Sequence, residues 1–357
     1  MKAFTSVQYG DITATNRFVM APMTRCRATE NGLATPIMAT YYAQRASAGL
    51  IISEGIYLSI AGKGFSTTPG LHSLEQVKSW QPVTAAVHEQ GGKIFAQIMH
   101  AGRIGHPSIN GQQPLAPSAI AANGEIFTPS GKQPYPQPLA MDAQAIQTAI
   151  DEHVTAAINA IDAGFDGIEI HAGNGFLIHQ FMASNTNVRT DDYGGSVANR
   201  VRFAVEVIKA CGQAIGFGKV GVRLSPQNAY NDIIEEDTNE LYKTLIEQLP
   251  TELAYLHVME ANCRHHTQAI RALWQGPLIV NPHSDANAWP ASTDILPVML
   301  DTGLTDGVCF GALFVANPDL VARVKNQAPL NEMKGEYLYE GGEVGYTDYP
   351  LLAEALA

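Results

Sequence analysis

The sequence predicts one closed (β/α)8 TIM barrel with a long excursion over its mouth, and three observations carry that reading. Eight short runs, each nearly continuous in apolar residues, recur along the 357 residues, as expected of parallel strands covered on both faces. Longer amphipathic patterns separate most of these runs, and eight alternations in a chain of this length favour a closed barrel over an open, doubly wound sheet. No GxGxxG turn follows the first run, so the dinucleotide-binding alternative lacks its fingerprint.

In chain order the strand runs are "RFVMAP" (17–22), "GLIISEGI" (49–56), "GGKIFAQIM" (91–99), "FDGIEIH" (165–171), "GKVGVRLS" (218–225), "LAYLHVME" (253–260), "GPLIVN" (276–281) and "TDGVCFG" (305–311). Among the helical stretches, "SVANRVRFAVEVIKACG" (196–212) sets Val197, Val201, Ala204, Val205 and Ile208 at helical spacing behind a Ser196 cap. Residues 103–142 are rich in Pro, Gly and Asn where a third helix is due, and read as a loop or cap over the barrel mouth. Residues 1–357 otherwise form a single barrel domain.

Composition bounds the function. With 46% hydrophobic and only 16% charged residues, the chain has material for a large core. A formal net charge of −12 repels phosphate backbones and anionic lipid, so neither nucleic acid nor a membrane is an expected partner; a small molecule is. The N-terminal segment has no signal-peptide core, and no run approaches the roughly 18 apolar residues of a spanning helix. A cytoplasmic protein, monomeric or homodimeric, is expected. Cys26, Cys211, Cys263 and Cys309 form no CxxC pair and read as reduced and mostly packed.

A barrel gathers its reactive groups at the C-terminal ends of the strands. Thr24 follows the first strand, Glu54 and Gly55 end the second, Gln97 and His100 end the third, His171 and Asn174 follow the fourth, and Arg223 closes the fifth. An amide, a hydroxyl and a guanidinium suit the heteroatoms of a flat electron-accepting ring, and the fixed charge of Arg223 favours an anionic reduced form. His171 and Asn174 supply two donors for a carbonyl oxygen, an arrangement that stabilises developing enolate charge. The spacing does not by itself identify a flavin.

The stretches "NRFVMAPMTRCRA", "YYAQRASAGLIISEG", "GGKIFAQIMHAGR", "HAGNGFLIHQF", "RTDDYGGSVANRVRF", "ANPDLVARV" and "GYTDYP" together resemble the old yellow enzyme family of FMN-dependent ene-reductases, in order and over essentially the whole chain. The resemblance implies FMN as cofactor and NADH or NADPH as reductant. It implies that Pro22, Met23, Thr24, Gly55, Gln97, Arg223 and Gly311 contact the flavin, and that His171 and Asn174 hold the carbonyl of an α,β-unsaturated substrate. It places Tyr339 near the pocket.

Departures from the family pattern are as informative. Phe176 stands where the family usually carries the tyrosine that protonates the substrate, and general acid catalysis is worth roughly 10²–10⁴-fold. Met99 replaces a frequent tryptophan and Phe65 a frequent tyrosine, which reshapes the substrate pocket. At the phosphate end Pro282 brings no N–H, and Ala312 replaces an arginine, so the resemblance implies weakened FMN binding unless His283, Ser284 or the backbone near Gly311 compensates.

The alternative is a flavin-poor, catalytically impaired paralogue that binds a small molecule. A metal hydrolase built from Glu54, His100 and His171 lacks paired HxH ligands. A Schiff-base aldolase is disfavoured because Lys93 and Lys219 begin their strands. Adjacent His265 and His266 read as a loop or helix start, and Asp191 and Asp192 as turn residues.

Overall fold

The computed structural model describes residues 1–283 and 290–352. Eight parallel strands form the barrel: β1 (Phe18–Met20), β2 (Leu50–Ile52), β3 (Ile94–Met99), β4 (Gly167–His171), β5 (Val220–Leu224), β6 (Tyr255–Met259), β7 (Leu278–Asn281) and β8 (Gly307–Phe310). Each pairs with its successor, and β8 closes the cylinder on β1. All eight lie within the runs read from the sequence.

The continuous apolar runs divide by strand parity. Outward residues such as Phe18, Ile51, Ile98, Ile170, Val222 and Val258 join the large core beneath the helices. Inward residues Val19, Leu50, Ile52, Phe95, Tyr255, Ile279 and Cys309 make a separate cluster inside the barrel. That inner cluster also takes Tyr9, Ile12 and Ala14 from an N-terminal antiparallel hairpin, Val7–Tyr9 with Ile12–Ala14, which the sequence did not reveal.

The outer ring is α1 (Pro36–Ala43), α2 (Leu74–Glu89), α3 (Ala143–Asp162), α4 (Val197–Ile215), α5 (Thr238–Ile246), α6 (Arg264–Leu273), α7 (Ile295–Leu300) and α8 (Leu320–Lys325). Ser196 caps α4 by accepting from the backbone N–H of Asn199 at 3.3 Å, and Val201, Ala204, Val205 and Ile208 are buried beneath it, as their spacing predicts. His265 and His266 lie in the first turn of α6, where His266 bonds Asn239 and Gln227.

Residues 103–142 hold more regular structure than their composition implies: a helical turn (Pro107–Asn110), a parallel pair (Leu115–Ala116 with Leu139–Ala140) and a hairpin (Glu125–Thr128 with Gly131–Pro134). Arg103, 1% exposed, anchors the segment by donating to the carbonyls of Ile120, Ala121, Asn231 and Asp232.

The N-terminal hairpin turns on Gly10 at φ +53°, and a Cβ there would stand 2.0 Å from the carbonyl oxygen of Gly218. A left-handed L-residue costs about 1–2 kcal/mol before any clash. Gly10→Ala is therefore expected to lower unfolding stability by about 2 kcal/mol or more, read as the urea midpoint; an unchanged midpoint contradicts the tight seating of the hairpin.

Candidate active site

Parity and register assemble the site. Gln97 on β3 lies opposite Glu169 on β4, and His171 on β4 lies opposite Arg223 on β5, itself opposite His257 on β6. Glu169 has no exposed surface; its Oε1 accepts from Gln97 Nε2 at 2.8 Å, and its Oε2 lies 2.8 Å from His257 Nδ1. Burial, chiefly, holds the His257 imidazole below its usual range. The carboxylate can only accept, so it fixes the Gln97 amide with its nitrogen turned inward.

The carbonyl oxygen of that amide is left beside Gly55. A Cβ on Gly55 would lie 3.5 Å from Gln97 Oε1 and 3.2 Å from Met99 Sδ. Arg223 is 4% exposed, and its Nη2 reaches Asn281 Oδ1 at 3.3 Å and Met259 Sδ at 3.4 Å. Its Nε is buried with no partner among the described residues, a costly state for a guanidinium unless a ligand supplies the acceptor. Pro22 is buried, Met23 and Thr24 are half-buried, and a Cβ on Gly311 would meet Met23 Sδ at 2.7 Å.

His171 and Asn174 are presented as donors. His171 Nδ1 accepts from the Gly173 N–H at 3.4 Å, which leaves the proton on Nε2. Burial, reinforced by the neighbouring charges of Arg223, His179 and His257, holds its pKa well below the usual histidine range, so the ring is neutral at pH 7. Asn174 sits at φ +52°. Its N–H donates to Ser225 Oγ at 2.6 Å, its carbonyl accepts from Asn231, and its Oδ1 accepts from Asn228 Nδ2 at 3.1 Å. With Oδ1 engaged, the Asn174 side-chain N–H groups remain for a ligand.

Phe176 packs edge-on against His171 at 4.8 Å and against Phe65 at 6.3 Å between ring centroids. Met99, Ala101, Ile104 and Ala122 complete this apolar cluster, and Phe65 and Tyr135 lie against it. Tyr339 is 59% exposed. Two rim residues named from the sequence turn away. Glu54 bonds the Tyr42 hydroxyl and the Arg25 backbone N–H, while His100 Nδ1 accepts from the Gly102 N–H and burial lowers its pKa to about 3. Glu54, His100 and His171 thus diverge, and among the described residues no three His, Cys, Asp or Glu side chains could hold a metal.

The sequence reading missed Glu169, His257, Asn281 and Asn228. Glu169 stands two residues before His171 on one strand, so strand periodicity puts both on the inner face; that signal was present. Asn228 is brought in by a loop, and no local pattern announces it.

At the other end of the site, Ala312 is buried and opens a helical turn, Ala312–Ala316. Barrels commonly bind phosphate between the loops after strands 7 and 8, but residues 281–283 and 311–316 contain no Lys or Arg. Burial, followed by the charge of Arg223, holds the half-buried His283 imidazole below its usual range. Ser284 lies outside the described residues. The free Gln97 Oε1 and Arg223 N–H fit a flat heterocycle that presents a donor and an acceptor along one edge, whereas residues 281–283 and 311–316, the described part of the phosphate end, carry no Lys or Arg.

Fold and site together define a barrel oxidoreductase. The model of the NADH:flavin oxidoreductase / NADH oxidase family matches residues 2–331, and the chain belongs to that family, as a member of its old yellow enzyme group. It is 42% identical over 349 residues, 94% of each chain, to a Leishmania infantum protein named "Probable flavin mononucleotide-dependent alkene reductase". It is 38% identical to 12-oxophytodienoate reductase 7 of Oryza sativa subsp. japonica, covering 98% of this chain and 95% of that one. Among solved structures, the old yellow enzyme homologue from Zymomonas mobilis superposes with a TM-score of 0.93 at 39% identity, covering 99% of this chain and all of that one. Morphinone reductase in complex with tetrahydroNAD gives 0.91 at 38%, covering 99% and 98%.

Behind the rim, burial pushes the Glu54 carboxyl from 4.5 up to about 7, against the N–H bond and charge of Arg25. The folded protein therefore holds a proton there that the unfolded chain releases above pH 4.5. Stability falls as pH rises from 4.5 to 7 and the loss is complete above, by roughly 3 kcal/mol at about 1.4 kcal/mol per pH unit. Glu54→Gln removes this loss, so its stability relative to the parent should climb across that window and stay flat above it. A difference independent of pH in denaturant titrations contradicts the account.

Proposed function

We propose that this chain is a flavin-dependent reductase that takes reducing equivalents from NADH or NADPH and delivers them to an α,β-unsaturated carbonyl or a similarly electrophilic acceptor. The observation that carries the reading is the buried, part-orphaned guanidinium of Arg223 and, two strands away on the same inner face, a Gln97 amide locked by Glu169. Gln97, Arg223, Gly55, Thr24, Pro22, Met23 and Gly311 would hold the ring. The chemistry an FMN ring supplies there is two-electron transfer, hydride accepted from the nicotinamide and passed to the β-carbon.

The protein's own part is positional. Neutral His171 donates through Nε2–H, and Asn174, its amide turned by Asn228, donates a second hydrogen bond to the substrate oxygen as enolate charge develops. A neutral imidazole does this without delivering its proton. Phe65, Met99 and Phe176 make an apolar wall that sheds water from the reacting carbons and strengthens those hydrogen bonds. Phe176 has no proton for the α-carbon.

A second reading, a flavin-poor small-molecule binder, is favoured by one specific observation, the absence of Lys and Arg from residues 281–283 and 311–316 together with the missing N–H of Pro282. A single titration separates the two. Under the first reading the purified protein binds FMN, becomes yellow and oxidises NADH or NADPH with an enone; a protein colourless at saturating FMN supports the second. Ala312→Arg should tighten FMN about ten- to a hundredfold, the value of one charge-assisted hydrogen bond. Equal dissociation constants for parent and variant would misplace the phosphate.

A further inference from the structure

The proton that Phe176 withholds has a candidate source in the segment over the mouth. Tyr135 follows the hairpin strand Gly131–Pro134, and its half-buried ring packs against the cluster of Met99, Ala101, Ile104, Ala122 and Phe176. Its hydroxyl makes no hydrogen bond to the described residues. A phenol packed against the cluster that holds Phe176, with its own proton uncommitted, is in the right neighbourhood and chemically available.

Its surroundings suit proton donation. Burial and the nearby Tyr230 hold the Tyr135 phenol above its ordinary range, while Arg103 draws it down. The group is therefore protonated at neutral pH, yet the phenolate left after donation faces a positive charge. Arg103 is 1% exposed and paired with Asp232 Oδ2 at 3.3 Å, and its Nε has no partner among the described residues, so the guanidinium keeps one N–H unspent. The same Arg103 donates to the carbonyls of Asn231 and Asp232, and Asn231 Nδ2 bonds the Asn174 carbonyl at 2.7 Å. A Cβ on Gly175 would lie 2.7 Å from the Tyr230 carbonyl oxygen. Those links tie the surroundings of Tyr135 to the turn 174–176. Tyr230 and Tyr339, 65% and 59% exposed, connect the same region to solvent.

We propose that Tyr135 is the proton donor for the α-carbon. The O–H bond of Tyr135 breaks as the α-carbon C–H bond forms; the β-carbon takes the hydride that NADH or NADPH provides by way of the flavin, and the C=C π bond is consumed. The Tyr135 phenolate then recovers its proton from water at the rim. This assignment rests on the reductase reading of the site and deepens it.

The test uses the FMN-loaded full chain with 2-cyclohexen-1-one and NADH, measuring enone turnover at saturation and, separately, the rate of flavin bleaching by NADH without enone. Tyr135→Phe should lower enone turnover by about 10²-fold, while bleaching, which needs no α-carbon proton, serves as the control. Adding Phe176→Tyr to the Tyr135→Phe protein should restore turnover to within a few-fold of the parent, since a hydroxyl returns to the same cluster from the other side. Parental turnover in Tyr135→Phe overturns the assignment. So does a loss that Phe176→Tyr leaves unrescued or that bleaching shares, because either is the mark of a structural role. A parent that binds FMN but leaves the enone untouched defeats the reductase reading itself, and this assignment with it.

Discussion

A carboxylate with no exposed surface at the centre of the barrel sets the rest of the site. Stripping water from Glu169 is expensive, and the loss is offset only because Gln97 and His257 each reach one of its oxygens at 2.8 Å and Arg223 lies close enough to share its field. Three strands, β3, β4 and β6, are thereby bonded through side chains across the barrel interior. The orientation of the Gln97 amide and the tolerated burial of Arg223 both follow. A barrel with only aliphatic side chains at this level would fold, but its mouth would have neither a directed amide nor a buried cation.

Above that level the two ends of the site differ in kind. On the proposed reading the ring end has its full set of groups: the Gln97 amide and the Arg223 guanidinium, the glycines Gly55 and Gly311, and the donors His171 and Asn174. The resemblance to the old yellow enzyme pattern implies one charged or acidic group fewer at the phosphate end and at the proton-donor position, through Ala312 and Phe176. Ala312 and Phe176 are both apolar and buried, so both positions are satisfied by packing. The chemistry of the chain therefore turns on what its own neighbourhood supplies in their place, and the uncommitted Tyr135 phenol at the edge of the Phe176 cluster is such a group.

Much of the architecture was legible because strands buried on both faces leave a continuous apolar signature and α4 carries its face and cap locally. The N-terminal hairpin was not, since three-residue strands are too short to show a period. Regular structure inside 103–142 was hidden by the same Pro and Gly that make its turns. In the site, Gln97, His171 and Arg223 were visible as polar residues ending apolar runs. Glu54 and His100 looked equivalent, yet alternation after Gln97 and Met99 sends His100 behind the wall, and Glu54, which alternation from Ile52 would point inward, lies past the end of β2 and turns to Tyr42. Applying parity to β4 would have added Glu169. Asn228 and Tyr135 reach the site from loops, where sequence distance says nothing about proximity.

The dependence on Glu169 can be measured directly by comparing FMN dissociation constants for the parent chain and Glu169→Gln, both shown folded by circular dichroism. An amide can offer either an acceptor or a donor to Gln97 and His257, so the Gln97 orientation is no longer fixed and Arg223 loses its counter-charge. The account predicts binding weakened about ten- to a hundredfold, the value of one hydrogen bond to a charged group, with an altered visible spectrum of the flavin that remains bound. An unchanged constant and spectrum would show that the buried carboxylate serves the barrel alone and that the ring is not held along Gln97 and Arg223.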